Sequence, residues 1–488
     1  MDAHAEHTGH PKGRPTVSLT VSQQKYLPAG AREQEMHAIL TVRVDGAGGA
    51  GPGPALAEVL VIDCSSSMDR PEEKFRAAKN AAVAALRMLP DGTPFAVVQG
   101  THTAETAYPA TGPMPRATAA LRSDAERAVH RLLAAGGTSV GTWLDLCRRL
   151  LAAQSAPIGH VLLLTDGRNE HDDQLPLAGV LDVCDGQFVC DAWGIGDGWD
   201  AQELLRVTSR LHGSADAVRA ESDLPGEYQK LIRGLLTKAV PELVIRVVPS
   251  PGSTVRYLKQ VYPTETRLTG TGVAPGDGAS EFVTRAWGDE TRRYQLCLST
   301  DPAGRPRRED LQLAVVGVDL PDGGEALLPP PQPCVVHWTD DPVLSQRTDD
   351  QVLHFRLYQE LGRAVAGASD AYRHDDPDLA ERHLGRAVAL AHSVGARQQL
   401  AQLERLVEIH DAAAGRVRLR PDLLPVDFQH LITASSRSTY GPELDGPGAA
   451  TGPGGQPDAT APCPACGEQT PASAKFCPLC GHRFEARP

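Results

Sequence analysis

Two hydrophobic periods divide the chain. Between residues 56 and 237, short unbroken apolar runs alternate with stretches whose apolar residues recur every three or four positions. "AEVLVID", "TPFAVVQG", "GHVLLLTDG" and "QFVCDAWGIG" are of the first kind. "PEEKFRAAKNAAVAALRML", "DAERAVHRLLA", "TWLDLCRRLLAA", "DQLPLAGVLDVC" and "DAQELLRVTSRL" are of the second. Apolar strands between amphipathic helices predict an α/β doubly wound domain, with a mostly parallel sheet covered on both faces. Such sheets meet ligands at the carboxyl ends of their strands. Asp63 and Asp166 stand at two of those ends.

The pattern changes over residues 240–340. "PELVIRVVPSPGSTVRYLKQVYP", "RRYQLCLST", "LQLAVVGVDL" and "PCVVHWTDD" are short strands broken by Gly/Pro turns, which predicts an antiparallel β-sandwich. Residues 16–45 hold further strands, "TVSLTVSQ" and "MHAILTVRV". Two strands alone are only marginally stable, so these are expected to complete the sandwich. The α/β domain of residues 56–237 would then be inserted in it or joined to it. Residues 343–415 read as three amphipathic helices with short joins, a helical bundle. Residues 1–15 are expected to be a disordered tail, and the Gly/Pro-rich residues 440–462 a flexible linker. Residues 463–488 form a separate small module.

Charge narrows the partners. The formal net charge is −13, which argues against nucleic acid and anionic membranes as general partners. No run of about 18 apolar residues exists, so no membrane-spanning helix is expected. The N-terminus is polar and carries no leader-like apolar stretch. Six of the ten cysteines are scattered and read as small buried hydrophobes. Together these features lead to an expected cytoplasmic location.

Candidate chemistry begins at Asp63, where alternate residues carry oxygen: Asp63, Ser65 and Ser67. Alternate residues of an extended turn point the same way, so three oxygens can converge above the sheet. Hard oxygens suit Mg²⁺ or Mn²⁺. The competing reading is that these residues cap the following helix. Two more oxygens stand on other loops: Thr138 in "AGGTSVGTWL" and Asp166 in "LLLTDG". This set, in this order, resembles the metal-ion-dependent adhesion site of von Willebrand factor type A domains. The resemblance covers residues 56–237. It implies that Ser65, Ser67 and Thr138 contact the metal, with Asp63 and Asp166 acting directly or through water. It also implies an open coordination position filled by an Asp or Glu of a partner protein. The sequence departs from the common pattern at Ser66, where Gly is frequent, and at Cys64.

Through motifs such as "YLPAG", "TDGRNEHD", "RAWGDETRRYQLCL" and "GRAVALAHSVG", the chain to about residue 440 also resembles bacterial cytoplasmic type A proteins, a resemblance that implies a link to kinase, phosphatase and forkhead-associated-domain signalling. The implied function is a non-enzymatic, metal-dependent interaction scaffold. The alternative is an accessory subunit of an ATPase-coupled or chelatase-like complex. No catalytic residue is expected: Gly137-Thr-Ser139-Val-Gly141 has the spacing of a nucleophile elbow but follows a loop, not a strand. At the C-terminal end, Cys463, Cys466, Cys477 and Cys480 form two Cys-x-x-Cys pairs, each closed by Gly. Four thiolates suit tetrahedral Zn²⁺, a zinc ribbon, with disulfides or a redox pair as alternatives. Thr439, beside Arg437, is a candidate phosphorylation site that a forkhead-associated domain could read.

Overall fold

The computed structural model describes residues 14–30, 33–47, 56–156, 158–166, 168–173, 175–195, 199–218, 224–238, 240–273, 278–321, 326–423, 425–438, 460–462 and 469–471. The chain divides into two compact units, Met1–Ser438 and Thr439–Pro488.

The first unit opens with β1 (Thr16–Gln23), β2 (Tyr26–Pro28) and β3 (Gln34–Asp45). Next comes the α/β domain: β4 (Leu56–Asp63), α1 (Glu72–Met88), β5 (Phe95–Gly100), β6 (Ala104–Tyr108), α2 (Ala119–Arg131) and α3 (Val140–Ala152). It continues with β7 (Ile158–Thr165), α4 (Leu177–Cys184), β8 (Val189–Ile195), α5 (Ala201–Arg210), β9 (Ala215–Val218) and α6 (Leu224–Leu236). Its six strands run in the order β6-β5-β4-β7-β8-β9, parallel except for β6 at the edge. Every residue of central β4 is buried, as an apolar strand covered on both faces must be. In α1, Phe75, Ala78, Ala82 and Leu86 recur at helical spacing and are all buried.

Strands on either side of this domain pair with one another. The later ones are β10 (Val240–Pro249), β11 (Ser253–Tyr262), β12 (Thr266–Arg267), β13 (Gly270–Val273), β14 (Ser280–Trp287), β15 (Glu290–Thr300), β16 (Asp310–Asp319) and β17 (Gln332–Thr339). One sheet is β1-β3-β15-β11-β12 and the other β13-β14-β10-β16-β17-β2. In the β3–β15 ladder Met36 faces Leu298, Ala38 faces Leu296 and Leu40 faces Tyr294, all buried. These alternate residues enter one apolar core with Leu243, Ile245, Val316 and Trp338 of the second sheet.

Helices follow: α7 (Pro342–Ser345), α8 (Asp350–Arg373), α9 (Pro377–Ser393) and α10 (Arg397–Leu406). The third expected helix is shorter than its pattern suggests. From Val407 the chain turns into a hairpin of β18 (Val407–Asp411) and β19 (Arg416–Leu419). Its pivot is Gly415, whose φ of +64° suits glycine. A last helix, α11 (Pro425–Ser435), was not expected; it buries Phe428 and Leu431. The helices share a core with the α/β domain, and Gln429 Oε1 accepts from Ala201 N at 2.8 Å. A Cβ on Gly385 of α9 would lie 2.3 Å from the Gly415 carbonyl oxygen. Gly385→Ala is therefore expected to lower stability by about 1–3 kcal/mol, read by urea denaturation. An unchanged midpoint would show that the hairpin does not rest on α9.

In the second unit Thr460–Pro462 pairs antiparallel with Gln469–Pro471. The remainder of that unit lies outside the described residues, and with it Thr439, Cys463, Cys466, Cys477 and Cys480. The same holds for the tail to residue 13 and for residues 440–459.

Candidate functional site

The strand β4 ends at Asp63, and the chain turns through Ser65 and a short 3-10 turn, Ser66–Asp69, into α1. Asp63 is fully buried. Its Oδ1 accepts from Ser65 N at 2.8 Å and its Oδ2 from Thr165 Oγ1 at 2.5 Å. Thr165 is the last residue of neighbouring β7, so the parallel register itself brings Asp166 beside Asp63. Ser67 Oγ donates to Asp166 Oδ1 at 2.9 Å, and Ser65 Oγ lies 3.0 Å from Ser67 Oγ. Asp63, Ser65, Ser67 and Asp166 thus form one connected set of oxygens.

The Thr138 loop is tied to the same turn. Gly136 has φ +88°, a value open to glycine, and its carbonyl accepts from Ser66 N at 2.9 Å and Ser66 Oγ at 3.0 Å. The hydroxyl at position 66 is therefore a tether between the two loops. Cys64 O accepts from Ala135 N at 2.7 Å. Thr138 is buried, and its carbonyl accepts from the N–H groups of Glu170 and His171, both at 3.0 Å. Those residues follow Asp166 closely, so three loops are joined through backbone bonds. Ser139 is fully buried, and its Oγ donates to His171 O at 2.8 Å, which fits a structural hydroxyl.

Burial pushes the Asp63 carboxyl up to about 6. Hydrogen bonds from Ser65 and Thr165 hold it down, and the charge of Asp166 pushes it further up. Burial likewise drives the Cys64 thiol to about 12, so Cys64 is a packing residue. Asp166 Oδ2 forms an ion pair with Lys74 Nζ from α1.

Lys74 was not found from sequence, since a Lys in a first helical turn usually faces water. Two other clusters were also missed. Glu58, His160 and Asp191, on adjacent strands, form a buried charged row. A Glu within "AEVLVID" and a His within "GHVLLLTDG" were the available signals. On the sandwich, Glu35, His37 and Cys297 bring a carboxylate, an imidazole and a thiol within 4.8 Å of one another, a set that could coordinate a metal. Burial holds that thiol protonated, at about 12, and Lys259 and Arg356 add positive charge around His37. Both effects oppose a cation there.

Residues 57–217 match the von Willebrand factor type A domain family. The whole fold is similar to the von Willebrand factor type A protein from Catenulispora acidiphila, at 31% identity and a TM-score of 0.78. That match covers 90% of this chain and 100% of the other. A paralog of ArnB from Sulfolobus acidocaldarius shares the fold at 13% identity and a TM-score of 0.51, covering 87% of this chain and 100% of that one. An uncharacterized protein of Synechocystis sp. is 27% identical over 219 residues, 43% of this chain and 49% of its own length. The chain therefore spans about half of that curated relative.

The expected cytoplasmic location is corrected. Proximal thread matrix protein 1 from the mussel byssus and the pilus adhesin SpaC from Lactobacillus rhamnosus match in part only, over 36% and 67% of this chain at TM-scores of 0.31 and 0.33. A type A fold does not place a chain in the cytoplasm. Nor do the six scattered cysteines: all are buried and unbridged, which reports how the core packs and not the surrounding compartment. Among the described residues no helix is long and apolar enough to cross a membrane. The family match over the α/β domain and the match over the full length of the Catenulispora protein lead to one conclusion: the chain belongs to the von Willebrand factor type A family.

Proposed function

We propose that the chain is a metal-dependent interaction scaffold, in which Mg²⁺ or Mn²⁺ at Asp63, Ser65, Ser67, Thr138 and Asp166 captures an Asp or Glu of a partner protein. The supporting observation is the connected oxygen set at the ends of β4 and β7. It fits the ion chemically: every donor is a hard oxygen, and two buried carboxylates supply negative charge. The raised Asp63 carboxyl fits as well, since a divalent cation offsets what burial costs the ionised form. When bound, the ion would supply a Lewis-acidic position for the partner's carboxylate. The protein's part is to hold the oxygens in place through the Ser66 and Thr138 tethers.

Protein interaction is the general role of type A domains, and membership of the family is consistent with a non-catalytic scaffold. The link to kinase signalling rests on sequence resemblance, the ATPase-coupled alternative shares the metal site and needs a catalytic partner, and the described residues add nothing to either. Zn²⁺ at Cys463, Cys466, Cys477 and Cys480 is proposed from their spacing alone.

Calorimetric titration of the full chain with Mg²⁺ tests the reading. Asp63→Asn and Asp166→Asn are each expected to weaken binding by at least about tenfold while leaving the fold intact. Partners captured by wild-type protein are expected to be lost in chelator and in both variants. Zinc analysis of the same preparations is expected to give about one ion per chain. Equal Mg²⁺ affinity in all three proteins would remove the type A site as the metal centre, and a zinc-free chain would remove the ribbon.

A further inference from the structure

Lys74 stands in the first turn of α1 and sends its ammonium to Asp166 Oδ2. The lysine side chain is 13% exposed and the carboxylate fully covered. The other Asp166 oxygen accepts from Ser67 Oγ. Asp63, by contrast, is held by the neutral donors Ser65 N and Thr165 Oγ1. One positive charge is therefore built into the oxygen set, and it sits on one carboxylate only.

We propose that Lys74 is a working residue of the site: a tethered cation that contends with the divalent ion for Asp166 and then pairs with the partner's carboxylate. The proposal rests on the metal reading above. Charge balance carries it. Two carboxylates and one ammonium leave the site with one net negative charge. A divalent ion turns that into one net positive charge, which a single carboxylate neutralises. Without Lys74 the loaded site is already neutral, and an incoming acid gains only its bond to the metal. The ammonium thus lowers metal affinity, because like charges repel in a poorly solvated site. In exchange it raises the site's preference for an acidic ligand. The geometry permits the exchange. Lys74 has a flexible four-carbon stem with three rotatable donors, and its side chain is not fully covered, so the ammonium can swing away from Asp166 without moving α1.

The test is Mn²⁺ binding to the full chain, followed by water-proton relaxation, for wild type, Lys74→Met and Lys74→Arg. Each is measured with and without sodium acetate as the probe carboxylate, at matched ionic strength. Binding retained by Asp166→Asn is subtracted as binding elsewhere in the chain. Lys74→Met is expected to bind Mn²⁺ about tenfold more tightly than wild type and to gain less from acetate. Lys74→Arg is expected to stay close to wild type in both. Should the Met variant fail to fold by circular dichroism, Lys74→Gln takes its place. Wild-type binding with no gain in the neutral variants overturns the role of Lys74 and leaves the metal reading standing. So does an acetate effect of equal size in all three, because a lysine that merely pins α1 to the sheet would leave it unchanged. Absence of Mn²⁺ binding above the Asp166→Asn background in every protein overturns both.

Discussion

His160→Leu lowers the unfolding free energy by about 3–5 kcal/mol, measured by urea denaturation at neutral pH. The side chains of His160 and Glu58 are fully buried, and that of Asp191 almost so. Nδ1 lies 2.8 Å from Glu58 Oε2, and Nε2 lies 2.9 Å from Asp191 Oδ2. Asp191 Oδ1 accepts from Ser214 N and Ser214 Oγ, both at 2.6 Å. Leucine would leave two covered carboxylates facing each other without their cation. The row also dictates a pH dependence. Burial opposes the imidazolium, but the two carboxylates outweigh it and raise His160 to about 10, above its ordinary 6.5. The stability from this group is thus fully present below about pH 6.5 and is lost as pH rises through about 10. Burial raises Glu58, which acts in the same direction. Asp191 is held low by His160 and Ser214 against its own burial, so its share is lost only in acid. In His160→Leu the imidazole's share of the decline between pH 6.5 and 10 should vanish, leaving only that of the buried Glu58. A loss of less than about 1 kcal/mol would show that the row is incidental.

Trp143→Ala carries the second large effect, about 3–5 kcal/mol of stability together with weakened Mg²⁺ binding. The indole is fully buried and lies on Gly100, where a Cβ would come within 2.5 Å of the ring. Its Nε1 donates to Thr101 O at 2.6 Å, and the same carbonyl accepts from Ser139 N at 3.0 Å. Core packing and the Thr138 loop therefore share one anchor. Trp143→Phe keeps most of the ring and gives up the hydrogen bond, so it should cost nearer 1 kcal/mol. Denaturation and Mg²⁺ titration of both variants check this. An Ala variant with normal Mg²⁺ affinity would separate the anchor from the site.

The parts of the molecule legible in sequence are those whose neighbours in space follow from local pattern. A strand apolar at every position, such as β4, has only a doubly covered sheet to enter. Asp63, Ser65 and Ser67 lie within one turn, and Asp166 follows from its place at a strand end. Where two patterns overlap, the sequence is ambiguous. "LERLVEIHD" extends a helix by spacing, yet Val407 and Ile409 are β-branched and alternate with polar residues. The Gly415 turn decides for the hairpin. The edge strand β6, short and half-exposed, has no apolar signature at all. Lys74 and Asp166 lie 92 residues apart, and Glu58 and His160 lie 102 apart. No local spacing encodes such pairs; the parallel sheet sets Glu58 beside His160, and the first turn of α1 carries Lys74 to Asp166.

The pairing of β3 with β15 across the α/β domain has a bearing on how the chain is made. A ribosome that has finished β3 must produce about 240 more residues before its partner strand exists. Until then the edges of β1 and β3 stand open to other strands. Folding of the α/β domain compacts the chain between the two strands, so it acts as the clasp of the sandwich. A lesion in its buried charged row would then be felt first at synthesis, as nascent chains whose early strands find the wrong partner.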